Sequence, residues 1–360
     1  METFDIQSYM SGGIRNLVAQ AMKSTLQCPS ESAFLVRFGA ASAKAAARRR
    51  EFETQGTHIP PFLIASITSA CNLHCKGCYS RQNQATNDCA PKNQLTGAEW
   101  GRIFTEAQEI GISFILLAGG EPFLRRDVLE AAAAHPEIAF PVFTNGVFVS
   151  EAYFQLLDRH RNLIPILSIE GDREMTDARR GEGIYDRQSG NMAAMAEKHM
   201  LFGASVTVTK DNLALVTSEA FVRDLAAKGC RVIIYVEYVP VTPESESLAP
   251  DDADRARMDA AVMHLRTACP EMMMLCFPGD EKATGGCLAA GRGFFHISSH
   301  GDAEPCPFSP YSDTNLRERS LLDALQSGLF RRLHDSGVLL QPHTGGCVLF
   351  REQEFVRNSL

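Results

Sequence analysis

At 360 residues, with 45% hydrophobic and 22% charged side chains, the chain can bury a substantial core and has the make-up of a globular enzyme. A net charge of −8 argues against a general nucleic-acid-binding surface, and no apolar run approaches the length of a membrane span. Eleven cysteines follow a start, Met1-Glu2-Thr3-Phe4-Asp5, that is acidic and lacks an apolar signal core. The expectation is a reducing cytoplasm, with thiols used for metal rather than for disulfides.

Residues 1–57 read as a helical prefix. Ile14, Leu17, Val18, Ala21 and Met22 form an amphipathic stripe, and Ala40 to Arg50 is rich in helix formers with a basic end. The plain expectation is packing on the main domain. The alternatives are a substrate-binding arm or a membrane-surface helix, with Arg48–Arg50 against anionic groups.

From residue 58 the pattern changes. Pro60-Pro61 ends any helix, and Phe62-Leu63-Ile64-Ala65-Ser66-Ile67 reads as a strand. Directly after it comes Cys71-Asn72-Leu73-His74-Cys75-Lys76-Gly77-Cys78-Tyr79, three cysteines at C-x3-C-x2-C spacing. Three thiolates on one loop can hold three irons of a [4Fe–4S] cube and leave the fourth open, whereas closed sites use four ligands. A zinc knuckle completed by His74 is the competing reading.

Strands and helices then alternate, as in a parallel α/β architecture. Thr96 and Glu99 form a capping box opening a helix through about Glu109. Strand Phe114–Leu117 runs into Gly119-Gly120-Glu121-Pro122; a helix near Arg126–Ala134 leads to strand Phe140–Phe143 and Thr144-Asn145-Gly146. Helix Ser150–Arg159, strand Ile164–Ile169, a helix around Asn191–Leu201, strand Ser205–Thr209, helix Ser218–Lys228 and strand Val232–Tyr238 complete six βα units. Polar residues gather just past the strand ends, where α/β folds place their sites. Ser168, Glu170, Thr209 and Tyr238 are candidates on that ground, with Arg180 and its neighbour Arg179 nearby; a solvated loop charge is the plain alternative for either arginine.

After a polar linker, 242–247, and a helix near Ala253–Thr267, cysteines return at 276, 287, 306 and 347. Phe294–Ile297 and the turn Ser298–Asp302 read as half a β-hairpin, a device that brings Cys287 and Cys306 together. A zinc site using His296, His300 or His343 with the same cysteines stays open. Cys28, Cys89, Cys230 and Cys269 read as ordinary thiols, with Cys89 and Cys230 as the ones to test as hydrogen donors.

The cysteine loop resembles the cluster motif of the radical S-adenosylmethionine (radical SAM) superfamily, over roughly residues 60–240. The resemblance implies an α/β fold, a partial (β/α)6 TIM-type barrel at 58–241, with a [4Fe–4S] cluster on Cys71, Cys75 and Cys78 chelating SAM. It also implies reductive cleavage of SAM to a 5′-deoxyadenosyl radical, fed by an external electron donor such as flavodoxin or ferredoxin. Gly119, Gly120, Glu121 and Pro122 look like the family's GGEP segment at the methionyl amino group, and Ser168, Glu170 and Arg180 match positions used on the SAM ribose and carboxylate. Many members carry an aromatic before the third cysteine; here that place is Gly77, which leaves the adenine to Tyr79 or to nothing on this loop. The spacing C-x13-G-x4-C from Cys287 to Cys306 resembles the start of a SPASM extension. Only Cys347 follows, so a shortened, twitch-like α+β domain at 242–360 with a second, auxiliary [4Fe–4S] cluster is implied. Its ligands would be Cys287, Cys306 and Cys347, with Cys276 as candidate fourth, or three cysteines with an open iron. That tail tilts the expected substrate towards a peptide or protein side chain, ahead of a small molecule or a lipid. A non-catalytic iron–sulfur protein is the reading of another class.

Overall fold

The structure is a computed structural model that describes residues 29–88, 92–240, 243–277, 280, 285–341 and 347–360. The amphipathic stripe at residues 14–22, Cys28, Cys89 and His343 lie outside the described residues. Its framework is one nine-stranded sheet, in the order β7-β6-β5-β4-β3-β2-β1-β8-β9. The strands are β1 (Phe62–Ser66), β2 (Phe114–Ala118), β3 (Phe140–Thr144), β4 (Leu163–Ser168), β5 (Gly203–Val208), β6 (Val232–Glu237), β7 (Met273–Phe277), β8 (His296–Ile297) and β9 (Ala303–Glu304). Neighbours from β1 to β7 pair in parallel in chain order, each reached through at least one helix, so the sheet curls one way into a half-barrel. Every residue of β4 is buried, as expected of a strand covered on both faces.

The helices that cover the outside follow from local chemistry. Thr96 caps α2 (Gly97–Ile110) with both bonds of the expected capping box, and the apolar stripe Trp100, Ile103, Phe104, Ala107, Ile110 is buried. Helices α3 (Arg126–Ala133), α4 (Glu151–Arg159) and α7 (Glu219–Ala227) lie within a residue or two of their sequence expectation. After β4 the structure differs: it holds α5 (Arg173–Arg180) and α6 (Ile184–Glu197) where the sequence suggested a single helix around 191–201. Helix α5 is almost wholly polar, with only Thr176 buried. It carries no apolar period to read, and its start is fixed by the Asp172 side chain accepting from Met175 N.

Two further differences concern the ends of the sheet. The six βα units are followed by a seventh parallel strand, β7, which reaches β6 through α8 (Asp252–Ala268) with Val232 opposite Met273. At the other edge, the expected hairpin forms as β8 and β9, and β8 adds itself in parallel to β1, with Ile64 opposite His296.

The N-terminal prefix is represented by a single helix, α1 (Pro29–Thr54). Phe34, Leu35 and Phe38 are buried with Ile164, Ile166, Val232 and Ile234 of β4 and β6. Glu31 pairs with Arg161 at 3.0 Å, both largely buried. At the other end, the Arg48 guanidinium donates to the carbonyls of Gln108 and Glu109, and Arg49 to that of Gly111. Arg48 and Arg49 therefore serve the C-terminus of α2, where cations meet the unpaired carbonyls and the negative end of the dipole, and are not held out towards a surface. No helix among the described residues is long and apolar enough to cross a membrane.

The Glu31–Arg161 pair ties α1 to the start of β4. Replacing Arg161 by Ala strands a buried carboxylate and should cost about 3 kcal/mol in urea unfolding. Arg173→Ala, which breaks the solvent-exposed Arg173–Asp186 pair, should change stability by less than about 1 kcal/mol.

Candidate active site

The C-terminal ends of β1 to β6 converge on one cavity. Its upper wall holds Cys71, Cys75, Gly77, Cys78 and Tyr79 from the loop after β1, with Gly119, Gly120 and Glu121 after β2 and Thr144 and Asn145 after β3. Ser168, Ser205, Thr207, Glu237 and Tyr238 come from β4 to β6 and their ends, and Arg179 and Arg180 from α5.

The cysteine loop is held by backbone. Gly120 N donates to Thr68 O at 2.7 Å and Glu121 N to Ala70 O at 2.8 Å. A Cβ on Gly120 would overlap Ala70 O and press on Cys71 N. The absent side chain thus lets the end of β2 lie against the root of the cysteine loop. Arg81 holds the loop from behind, donating to the carbonyls of Leu73 and Cys71. Asn145 Nδ2 donates to Asn72 Oδ1 at 2.9 Å and stands 3.9 Å from Cys71 Sγ.

Glu121 is buried, and its carboxylate accepts from Phe123 N, Thr144 Oγ1 and Asn145 N at 2.8–3.0 Å. Burial pushes it up to about 7, against the pull of those three donors and of Arg180. Pro122 opens the turn that this carboxylate caps. Glu170 accepts from Arg179 at 2.7 Å and Arg180 at 2.5 Å, and from Thr207 N at 3.0 Å. Arg180 Nη1 lies 3.9 Å from Cys75 Sγ. Burial alone would lower Arg180, but the neighbouring Glu170 and Cys75 outweigh it and hold the guanidinium above its usual value. The two arginines are therefore largely withdrawn from solvent and paired with Glu170, Arg180 beside Cys75, and are not solvated loop charges.

Three expected residues have local roles instead. Glu170 acts beneath the cavity surface through the arginines it orients, and is not itself in the lining. Thr209 is spent on Asn212 Oδ1, and Thr207, two residues earlier on β5, faces the cavity. Ser168 lines the wall and meets Ser205 Oγ at 3.3 Å.

Gly77 has φ +68°, and a Cβ there would stand 2.5 Å from the Tyr238 hydroxyl. The ring of Tyr238, arriving from the end of β6, fills the place a side chain at 77 would take. Its hydroxyl is buried, and among the described residues it has no hydrogen-bond partner. Tyr79 packs on Phe308 instead, ring centroids 4.7 Å apart and planes tilted by 59°. Burial raises it, and Cys78, Cys306 and Glu304 add to the effect, so this ring sits between the two sets of cysteines.

Cys287, Cys306 and Cys347 come together. Burial raises the Cys306 thiol, and the neighbouring Cys347 and Cys287 raise it further; Cys306 and Cys347 share a hydrogen bond. Leu288, Pro307 and Phe308, adjacent to these cysteines in sequence, line the cavity. Cys276 is elsewhere, on β7 in the cavity wall, raised by burial and by Asp280. The histidines are engaged: His74 is exposed and bonded to Asp88, and His296 lies between Ser66 and Glu304 at 2.7 and 2.6 Å. His300 meets Ser299. Among the described residues, no three His, Cys, Asp or Glu side chains stand together as single-ion ligands do.

The residues suit a cluster and a polar ligand. Burial raises Cys71, and the charges of Glu121, Cys75 and Cys78 raise it further; gathered thiols of this kind become thiolates on binding metal. Beside them stand a buried carboxylate, two guanidinium groups and an unpaired Tyr238 hydroxyl. Sequence reasoning missed Asn145, Thr207 and Ser205 as cavity residues. Their signal was position alone, on β5 or past the end of β3.

Residues 65–212 match the model of the Radical SAM superfamily. Over those residues the chain carries a radical SAM domain. It is 26% identical over 308 residues to an AdoMet-dependent heme synthase of Methanosarcina barkeri (strain Fusaro / DSM 804), covering 78% of this chain and 86% of that protein. It is 27% identical over 194 residues to an Fe-coproporphyrin III synthase of the same organism, 53% of this chain and 47% of that one. The fold matches SuiB of Streptococcus suis bound to S-adenosylmethionine, with a TM-score of 0.68 at 19% identity, over 83% of this chain and 75% of that one. SuiB bound to its precursor peptide SuiA gives 0.67 at 19% identity, over 85% and 76%. The half-barrel is thus the partial TIM barrel of the radical SAM fold, and the family implies a [4Fe–4S] cluster and SAM.

Two outcomes follow for this radical SAM domain. Gly120→Ala should reduce iron uptake on anaerobic reconstitution to that of Cys71→Ala, because the added methyl displaces the loop root. In the metal-free protein, folded Glu121 holds its proton up to about 7 against 4.5 ordinarily. The folded state therefore binds more protons across that interval, and stability falls as pH rises through it. Urea midpoints should decline from about pH 5 to about pH 8, and less steeply in Glu121→Gln.

Proposed function

We propose that the chain oxidises a small organic substrate with a large apolar body, of the iron-tetrapyrrole class, by hydrogen-atom abstraction. The observation that carries this is the cavity itself. Below the thiols its wall is Phe62, Ile64, Phe114, Leu116, Phe143, Ile234, Val236, Leu275 and Phe277, a surface that stabilises apolar matter and gives an extended peptide backbone no hydrogen-bond partners.

Cys71, Cys75 and Cys78 would hold a [4Fe–4S] cluster, which together with SAM would supply one-electron, radical-generating chemistry. The chain's own groups do the positioning. Arg180, oriented by Glu170, can hold a carboxylate bidentately, and Glu121 can accept from an ammonium group, which would draw its proton off. Tyr238 offers its unpaired hydroxyl and its ring beside Gly77. Apolar walls keep water from a radical that would otherwise react at random.

The heme synthase relative, matched over most of its length, supports a tetrapyrrole over a peptide. SuiB acts in the company of a precursor peptide, but at 19% identity only its fold bears on this chain. The lipid reading loses its ground because Arg48 and Arg49 are committed to α2.

The auxiliary [4Fe–4S] cluster is assigned to Cys287, Cys306 and Cys347, in the 242–360 extension, without Cys276. Its role would be to take the electron left on the substrate. An external one-electron donor of the flavodoxin or ferredoxin kind and a reducing cytoplasm complete the reading.

The test is anaerobic reconstitution with SAM and dithionite, with 5′-deoxyadenosine and products read by mass spectrometry. Wild type should form the nucleoside and the Cys71/Cys75/Cys78→Ala variant none. Iron deuteroporphyrin, whose two propionates share one edge, should raise the yield severalfold and lose carboxyl carbon. Stimulation by a peptide and not by the porphyrin would overturn the substrate class.

A further inference from the structure

A closed barrel fills its interior with layers of strand side chains. Seven strands that do not close cannot do so, and here the interior stays open from the thiols down to Phe62 and Phe114, the first residues of β1 and β2. Five residues of strand amount to about 16 Å of depth. The top of this space is polar, with Arg179, Arg180, Ser168, Ser205 and Thr207, and the bottom is apolar and aromatic.

Behind its apolar lining the cavity meets a cluster that the strands share with α1. Phe34, Leu35 and Phe38 of α1 are buried against Ile164, Ile166, Val232 and Ile234, and Phe114, Phe143, Val236 and Leu275 pack on that group. Five of these residues, Phe114, Phe143, Ile234, Val236 and Leu275, also line the cavity. Phe34 and Phe38 stack at 5.8 Å, a firm base. The helix is fixed at both ends, by Glu31–Arg161 and by the Arg48 and Arg49 bonds to α2, which makes it a floor and not a lid.

We infer that α1 is the floor of the substrate chamber and that Phe34 and Phe38 set how far an apolar body can descend. The inference rests on the tetrapyrrole reading and deepens it. An apolar macrocycle edge goes down onto the floor. The carboxylate-bearing edge stays up beside Arg179 and Arg180, next to the thiols, so the carbon atoms offered for hydrogen abstraction are those of the acidic side chains. Selection is by length on the edge remote from the chemistry: each extra carbon there meets Phe38 and Phe34 through the residues they support.

The experiment uses the reconstituted, SAM-bound enzyme under anaerobic conditions. It compares binding of iron deuteroporphyrin with that of iron mesoporphyrin, which carries ethyl groups where the former has hydrogen, by their visible absorbance. Wild type should bind the shorter one more tightly. Phe38→Ala should move that ratio about tenfold or more towards mesoporphyrin, the scale expected for one or two carbons in an apolar pocket, and Phe34→Ala should act in the same direction. Phe38→Leu covers the case in which Ala prevents folding. Phe52→Ala, on the same helix but packed on the other core cluster, should leave the ratio unchanged. An unchanged ratio in folded Phe38 and Phe34 variants overturns the floor while leaving the tetrapyrrole reading intact. If wild type binds neither porphyrin, that reading fails and the inference with it.

Discussion

Backbone-to-backbone contact at the end of two neighbouring strands is the constraint on which the site depends. Gly120 has no side chain, so β2 can donate directly into the loop root at Thr68 and Ala70. That contact fixes where Cys71 begins its turn. The charges arranged around it would otherwise be hard to bury: Glu121 survives on three donors, and Glu170 survives on two guanidinium groups. Glu121 draws donors from the end of β3, and Glu170 from β5 and α5, which ties the rim of the half-barrel into one network.

Much of this was legible in the chain. The C-x3-C-x2-C loop after an apolar run, the capping box at Thr96 and the alternation of strands with amphipathic helices were enough for the architecture and for setting three cysteines at the end of β1. Helix α5 escaped because its inward face is made of Thr176 and the two arginines, so no hydrophobic period marks it. Strand β7 escaped because Met273–Phe277 is a short apolar run that periodicity alone cannot assign. Its place at the sheet edge is decided by pairing with β6. Cys276 lies on that strand and lines the cavity.

The division of labour among aromatic residues was the least readable feature. Gly77 in the sequence looks like a loss, a missing ring beside the third cysteine. In the fold it is a vacancy of the size that Tyr238 fills from a strand about 160 residues later. Tyr79, freed from that task, faces Phe308 and the second cysteine set. A side chain's role was thus moved between elements, which only three-dimensional proximity reveals.

The edge pairing of β8 with β1 has a consequence for how such proteins can be recombined. Strand β1 leads into the cysteine loop, and β8 covers its free side, with Ser66, His296 and Glu304 bonded across the junction. The tail is therefore a structural wall of the catalytic half-barrel and cannot be grafted like a bead on a string. Cutting it away would bare the edge of the strand that carries the metal loop, an open template for another chain. A chimera that exchanges tails between relatives must carry the β8–β9 hairpin and its serine partner together, or it inherits an exposed seam at its most oxygen-sensitive point.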